Sequence, residues 1–297
     1  MAVPILRHET AATMNTFSAP EPCPIEELAA GDEAEVLDFL SARPIHTVLM
    51  ASMIRDNGLL SPQNRGSFYA CRSRQGELEG VALVGHVTVI EAGSEASLAA
   101  FACLTRHCLN THLVRGEREM MNRFWNYYAN TGQEPRRISS ELLFEQREVL
   151  LESEPVDDLR PATLSDLDQV LKINATMAFQ EGGTSPLHRD PSGFRQRTAR
   201  RIEGNRVWVW ARDEKLIFKA DVIAETPEVV YLEGVHVDAE ERMKGYGHRC
   251  MTQLARLLMT RSKSICLTIN QQNKNALAFY AKAGYQFHSN YETIYLR

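Results

Sequence analysis

The chain has 297 residues, 44% of them hydrophobic and 24% charged, enough length and apolar material for two ordinary domains with a core each. That excludes a disordered, fibrous or disulfide-miniature protein. Lys+Arg 33 against Asp+Glu 38 leaves a formal charge of −5, so no global basic field draws the chain onto nucleic acid or anionic lipid.

Residues 1–22 mix Ala, Thr, Ser and Pro around Arg7, His8 and Glu9 and lack the apolar core of a secretory signal; they are expected to form a loose tail. Helical patterns at Ala34–Leu40 and Val48–Ile54 precede strands at Phe68–Arg72, Leu78–Val84 and Val87–Glu91. A helix at Glu95–Leu109, a strand at Thr111–Arg115, a helix at Glu119–Ala129 and a strand at Ser139–Glu145 complete the first half. The acidic, aperiodic stretch 151–157 contains a Pro and reads as a linker. Domains at 23–150 and 158–297 follow.

The second half opens with a helix at Leu164–Met177, apolar at Leu164, Leu167, Val170, Leu171 and Ile173 behind a Thr163-x-x-Asp166 start signal. A helical segment near Gly193–Ile202 leads to strands at Arg206–Ala211, Leu216–Ala224 and Glu228–Val237. A helix from Tyr246 to Arg261, a strand at Ser264–Asn270, a helix at Lys274–Lys282 and a strand at Tyr285–Leu296 end the chain. Both halves are therefore expected to be α/β, each a mixed, largely antiparallel sheet flanked by helices. Tyr128-Ala129-Asn130-Thr131-Gly132 matches Tyr280-Ala281-Lys282-Ala283-Gly284 at three positions, which fits either a duplicated fold or a chance match.

Six cysteines without a CxxC pair, and no His cluster at zinc spacing, read as reduced thiols with no metal. Apolar runs such as Gly80–Ile90 end well before the ~18 residues of a membrane span. A cytoplasmic monomer or homodimer, with neither nucleic acid nor membrane as partner, is expected. Trp208 and Trp210 are read as a strand pair that cannot both face the core, one of them lining a substrate pocket or packing against a partner.

Between the strand ending at Val237 and the next helix stands Arg242-Met243-Lys244-Gly245-Tyr246-Gly247, R-x-x-G-x-G. Two glycines at a strand-to-helix turn let backbone approach a ligand, and the unpaired N–H groups of the first helical turn form an anion site, with Arg242 and Lys244 adding charge. This segment resembles the acyl-CoA motif of the GNAT superfamily of acyl-CoA-dependent N-acetyltransferases. Asn273-Lys274-Asn275-Ala276-Leu277-Ala278-Phe279-Tyr280-Ala281-Lys282-Ala283-Gly284-Tyr285 resembles the family's N-x-x-A-x-x-x-Y-x-K-x-G-F signature. The whole is similar to tandem GNAT proteins, with the second half as the catalytic copy. An ungapped offset of 152 carries Arg242, Gly245 and Gly247 onto Ile90, Gly93 and Glu95, so the first half reads as a degenerate copy that shapes the substrate site or is purely structural.

The resemblance implies transfer of acetyl from acetyl-CoA to a primary amine of a small molecule or peptide, by direct attack in a ternary complex. Cofactor contacts are implied for Val235, His236, Val237, Arg242, Met243, Lys244, Gly245, Tyr246, Gly247, Asn273 and Tyr280. Alternation puts Glu233, Val235 and Val237 on one face and His236 on the other. Glu233 is then a base acting through water or a salt-bridged strand residue. His236 is a packed or surface histidine on that placement. Tyr280 is a proton donor to the departing sulfur or a core ring, and Asn273 a CoA contact or a helix N-cap. A non-catalytic acyl-CoA-binding sensor is the alternative. The second half, from near Glu154, is expected to bind acetyl-CoA by itself.

Overall fold

The computed structural model describes residues 23–129, 134–149 and 154–296. The proposed tail at 1–22, part of the linker and part of the Tyr128–Gly132 match lie outside them. The first half runs β1 (Ile25–Glu27), α1 (Glu33–Ser41), α2 (Pro44–Asn57), β2 (Gly66–Arg72), β3 (Leu78–Gly85), β4 (Val87–Ala92), α3 (Glu95–His107), β5 (Leu113–Glu117), α4 (Arg118–Tyr128) and β6 (Arg137–Gln146). The second runs β7 (Arg160–Pro161), α5 (Leu167–Gly182), α6 (Pro186–Arg189), α7 (Pro191–Glu203), β8 (Val207–Arg212), β9 (Lys215–Glu225), β10 (Val229–Val237), α8 (Tyr246–Leu258), β11 (Ser264–Asn270), α9 (Lys274–Lys282) and β12 (Gln286–Tyr295).

Local chemistry explains the element ends that matter. Ser94 and Ser97 form a capping box that starts α3, and Thr163 with Asp166 forms one around a single 3-10 turn before α5. Helix α8 buries Cys250, Met251, Leu254, Ala255 and Leu258, a helical stripe that packs on β10 and β11.

All described strands join one mixed sheet in the order β1-β2-β3-β4-β5-β12-β6-β11-β10-β9-β8-β7. Its parallel pairs are β4 with β5 and β10 with β11, each bridged by one helix. Helices α3 and α4 pack on one side of the first-half strands and α8 and α9 on the same side of the second-half strands; α1, α2, α5 and α7 cover the other side. These are called the α8 face and the α2 face below. Trp208 and Trp210, two residues apart, both turn to the α8 face, where Trp210 meets Tyr246 edge-on. Period two allows both to be core residues, which corrects the expectation that one lines a pocket. Cys23 and Cys71 lie side by side at bonding distance where β1 meets β2, although the sequence reads as separate thiols.

The halves exchange their last strands. β6 pairs with β11 from Ile265↔Gln146 to Asn270↔Glu141, and β12 pairs with β5 from Tyr291↔Glu117 to Tyr295↔Leu113. The two exchanged strands then pair with each other. Helix α2 also crosses over, since Ile45 and Val48 pack on Val229, Tyr231 and Cys266 of the second half. The exchange argues against a self-sufficient second half. Residues 154–297 alone would expose the β6-facing edge of β11 and leave β12 without either neighbour. That fragment is expected to be insoluble or to show no cooperative thermal transition by circular dichroism; a soluble fragment that melts cooperatively would show that β11 does not need β6.

Candidate active site

Strands β10 and β11 pair only over Val229–Tyr231 and Ser264–Cys266. Beyond that, β10 follows β9 and β11 follows β6, so Leu232–Val237 and Leu267–Asn270 diverge with facing backbone edges unpaired. The β10 ladder slips between Glu233↔Asp221 and His236↔Lys219, where Gly234 has φ +60°. The turned-in carbonyl of Gly234 accepts a hydrogen bond from Lys219 Nζ at 3.0 Å, and the same ammonium pairs with Asp221 at 2.9 Å. Lys219 is wholly buried, and burial pulls its ammonium below the usual range while Asp221 opposes the shift. A Cβ at position 234 would stand 2.6 Å from that Nζ, so glycine is required twice over.

This bulge corrects the expected facing of β10. Tyr231 and Glu233 lie on the α2 face, whereas Val235 and Val237 pack into the α8-face core. His236, opposite Lys219, returns to the Glu233 side; burial, then Arg242, lowers its pKa. An extra residue in a strand inverts the alternation after it, and period-two reading of Glu233–Val237 has no way to include it.

The turn after β10 holds Met243 at φ 63° and Gly245 at φ 83°, and α8 starts at Tyr246 with no side-chain cap. Its first intrahelical bond runs from Arg249 N–H to the Gly245 carbonyl, leaving the amides of Tyr246, Gly247 and His248 directed outward. Gly247 is buried, and a Cβ there would press at 3.1 Å on both Phe279 and Val237. Arg242 Nε donates to the Val237 carbonyl at 3.1 Å, and exposed Lys244 pairs with Glu241. An uncapped helix start, a glycine cradle and two cations at the rim fit a pyrophosphate group.

The first half offers no such turn. Only Gly93 and Ser94 separate β4 from α3, against 238–245 in the second half. Ser94 caps the α3 amides, bonds Glu79 at 2.9 Å, and is followed by Glu95 in the first turn. The parallel registers, Val87–Val89 on Leu113–Arg115 and Val229–Tyr231 on Ser264–Cys266, make Glu91 the counterpart of Glu233. The ungapped offset that set Arg242 on Ile90 therefore misaligns the strands, because it ignores the shortened turn.

On the α2 face, residues of both halves converge. Arg115 of β5 donates to Glu233 at 2.9 Å, Tyr231 Oη at 2.8 Å and Thr268 Oγ1 at 3.2 Å, with Glu141 of β6 at 3.5 Å. Tyr231 also donates to Glu233 at 2.7 Å. Glu233 is thus a salt-bridged strand residue, yet 40% of its side chain remains exposed. Glu181, in the last turn of α5 and exposed at its surface, has its pKa raised to about 7 by the crowding of neighbouring atoms, then by Glu233 and Glu141. A narrow pocket lies under α2, with Arg115, Tyr231 and Thr268 of this cluster and His46, Glu117 and Tyr291 in its wall. Arg43 bridges Glu91 and Glu117 there, while burial lowers His46 to about 4 and leaves it bonded to Tyr291 Oη at 2.8 Å.

Tyr280 is 9% exposed, its ring packed against Phe279 and Tyr285, and burial raises its pKa, so the hydroxyl keeps its proton. Asn273 caps α9 through the Ala276 N–H at 3.1 Å, the local reading of that residue. Sequence reasoning missed Arg115, Glu141, Glu181, Lys219 and Asp221. Two charges inside the otherwise apolar Leu216–Ala224 were the one legible signal, since a charge in a central strand is buried and must be paired.

Residues 168–285, within the second half of the chain, match the family model described as Acetyltransferase (GNAT) family. Solved structures extend the likeness of fold over both halves. A Drosophila protein is 14% identical, with TM-score 0.68, over 93% of this chain and 99% of its own. A GCN5-related N-acetyltransferase from Sphaerobacter thermophilus is 13% identical, with TM-score 0.55, over 93% and 96%. A tandem GNAT protein from the clavulanic acid biosynthesis pathway is 15% identical, with TM-score 0.53, over 92% and 98%. No curated protein matches the chain.

The Lys219–Asp221 pair gives a stability test. Lys219→Met leaves Asp221 buried with only Arg201, at 3.4 Å, and frees the Gly234 carbonyl. A loss of about 3–5 kcal/mol is expected in urea unfolding, partly recovered when Asp221→Leu is added. A double variant no more stable than Lys219→Met would remove the ion pair from the account.

Proposed function

We propose that the protein is an N-acetyltransferase that moves an acetyl group from acetyl-CoA to a primary amine by direct attack in a ternary complex. The observation that carries this is the uncapped α8 turn opening beside the diverging β10 and β11, with carboxylates of both halves on the opposite face. The amides and cations of Arg242–Gly247 hold the pyrophosphate, and Val235, His236 and Val237 offer unpaired backbone to the pantetheine arm. Asn273 flanks the same path while capping α9. Acetyl-CoA supplies an acyl carbon activated by a sulfur leaving group.

The protein's own groups account for the proton movements. An alkylammonium, with pKa near ~10, is attracted to Glu233, Glu141 and Glu181 and must lose a proton to react. Glu233 is committed to Arg115 and Tyr231, so Glu181, poised near neutrality, is the better base. The freed nitrogen attacks the acyl carbon while exposed β10 amides meet the charge on the carbonyl oxygen; the adduct collapses with cleavage of C–S, Tyr280 Oη giving its proton to the sulfur and the nitrogen's surplus proton returning through solvent to the tyrosine.

Acetyl-CoA should raise the melting temperature, by the equivalent of ~2.7 kcal/mol at a hundredfold excess over Kd. Lys244→Glu, on the exposed rim, should shrink that shift without changing the ligand-free melt; an unchanged shift would place the cofactor elsewhere. Gly247→Glu should abolish it but also crowds Phe279 and Val237.

Turnover separates catalysis from the sensor alternative. Tyr280→Phe keeps the ring packing and should lower kcat by ~10²-fold with acetyl-CoA affinity unchanged. A base of pKa about 7 acts when deprotonated, so kcat/KM should rise with pH through about 7, and Glu181→Gln should flatten that rise. An unaltered profile in Glu181→Gln returns the role to Glu233 through water. A melting shift with no CoA release from any amine favours the sensor.

A further inference from the structure

At the end of the sheet where β10 and β11 diverge, the α2 face is bordered by arginines that the transfer chemistry leaves unused. Main-chain bonds build the platform: His86 N–H donates to the Arg65 carbonyl at 2.9 Å, His112 to that of His86 at 3.1 Å, and Leu296 to that of His112 at 2.8 Å. The His86 and His112 rings meet edge-on, 4.4 Å between centroids. Arg189 of α6 places Nη2 at 2.7 Å and 3.0 Å from the two ring nitrogens of His112. Arg136 lies over the Tyr295 ring at 5.5 Å and donates to Thr184. Arg197 is paired with Asp190, which also accepts from the Gly193 N–H.

Among the described residues no ion pair joins Arg65, Arg136 or Arg189 to a carboxylate; Asp190, paired with Arg197, also acts on Arg65, so the four arginines and one aspartate leave the rim net positive. Burial first, then neighbouring arginines, holds His86 down to about 3 and His112 below its usual range, so both imidazoles are neutral. Arg65 is pulled down by burial, then by Arg197, while Asp190 opposes the shift. Like charges gathered on a rigid platform suit planar, bidentate capture of an oxyanion. The rim lies along the strands from the carboxylate cluster: His112 is three residues before Arg115 on β5, and Arg137 four before Glu141 on β6. Gly182, next to Glu181, packs over Tyr295 between the two.

Resting on the amine-acceptor reading above, we infer that Arg65, Arg136 and Arg189 form an anion subsite for an acceptor whose phosphate or carboxylate lies ~10 Å from its reactive nitrogen, three strand residues away. The nitrogen end enters the carboxylate cluster and the anionic end meets the rim. A free amino acid is too short to reach both. A peptide with an acidic group, or an amine carrying a remote phosphate, spans the distance.

Aminohexyl phosphate and aminohexanol, alike except for the terminal group, test the subsite on the full chain. Calorimetric binding of each amine and CoA release from acetyl-CoA would be measured for the parent and for Arg65→Gln with Arg189→Gln. Aminohexyl phosphate should bind at least about tenfold more tightly than the alcohol, and the double replacement should erase that preference while leaving the acetyl-CoA melting shift intact. Inorganic phosphate should compete with aminohexyl phosphate and not with aminohexanol. Equal binding of the two amines by the parent, or a preference that survives the double replacement, overturns the subsite. Arginine-dependent binding without CoA release from either amine would keep the subsite and refute the transferase reading.

Discussion

The β6-facing edge of β11 has to be paired, and the strand that pairs it belongs to the other half of the chain. A central strand with an open edge would leave a row of unsatisfied N–H and C=O groups beside an apolar core. β6 meets that need for β11, β12 meets it for β5, and the two join at the middle of the sheet. The exchange makes both halves one sheet, and it sets Arg115 of β5, Glu141 of β6 and Glu233 of β10 on one face of its middle. A site assembled from both halves follows from backbone pairing, before any side chain is considered.

Within that sheet, the bulge at Gly234 does for β10 what the exchange does for the whole. It breaks the ladder with β9, turns one carbonyl inward and inverts the side-chain order, so that Glu233 lies on the α2 face while Val235 and Val237 stay in the core. The inward carbonyl would be an orphan in an apolar sheet; Lys219 satisfies it, and Asp221 compensates Lys219. A buried ion pair is a costly way to gain stability. Here it holds an irregular backbone that an unbroken ladder would straighten.

Much of this was legible in the sequence. Strands rich in Val, Ile and Leu, and helices with apolar stripes, gave the order of the longer elements of both halves, without β1, β7 and α6, and the Arg242–Gly247 turn and Asn273–Tyr285 segment carried the family resemblance. What was not legible depends on pairing at long range. Nothing near Ser139–Glu145 states that this strand closes the second half, since its alternation fits any half-buried edge. Arg115 reads as an ordinary strand charge until Glu233, 118 residues away, is set beside it. The facing of Glu233 could not be read past Gly234, because a positive-φ bulge leaves no mark beyond the glycine itself.

The two halves carry one carboxylate in the same register position, with opposite fates. Glu91 is nearly buried and closed in by Arg43, and its cleft lacks the longer turn and the uncapped helix that fit a pyrophosphate. Glu233 is held by Arg115 yet remains partly open, beside a cleft that keeps both features. A guanidinium accompanies each carboxylate, so charge pairing alone does not distinguish a working cleft from a closed one. The difference lies in the length of the connection after the fourth strand of each half: shortened to Gly93 and Ser94, it leaves α3 to cap itself. The first half has the sheet without such a turn, and its β5 face contributes Arg115 to the cluster around Glu233.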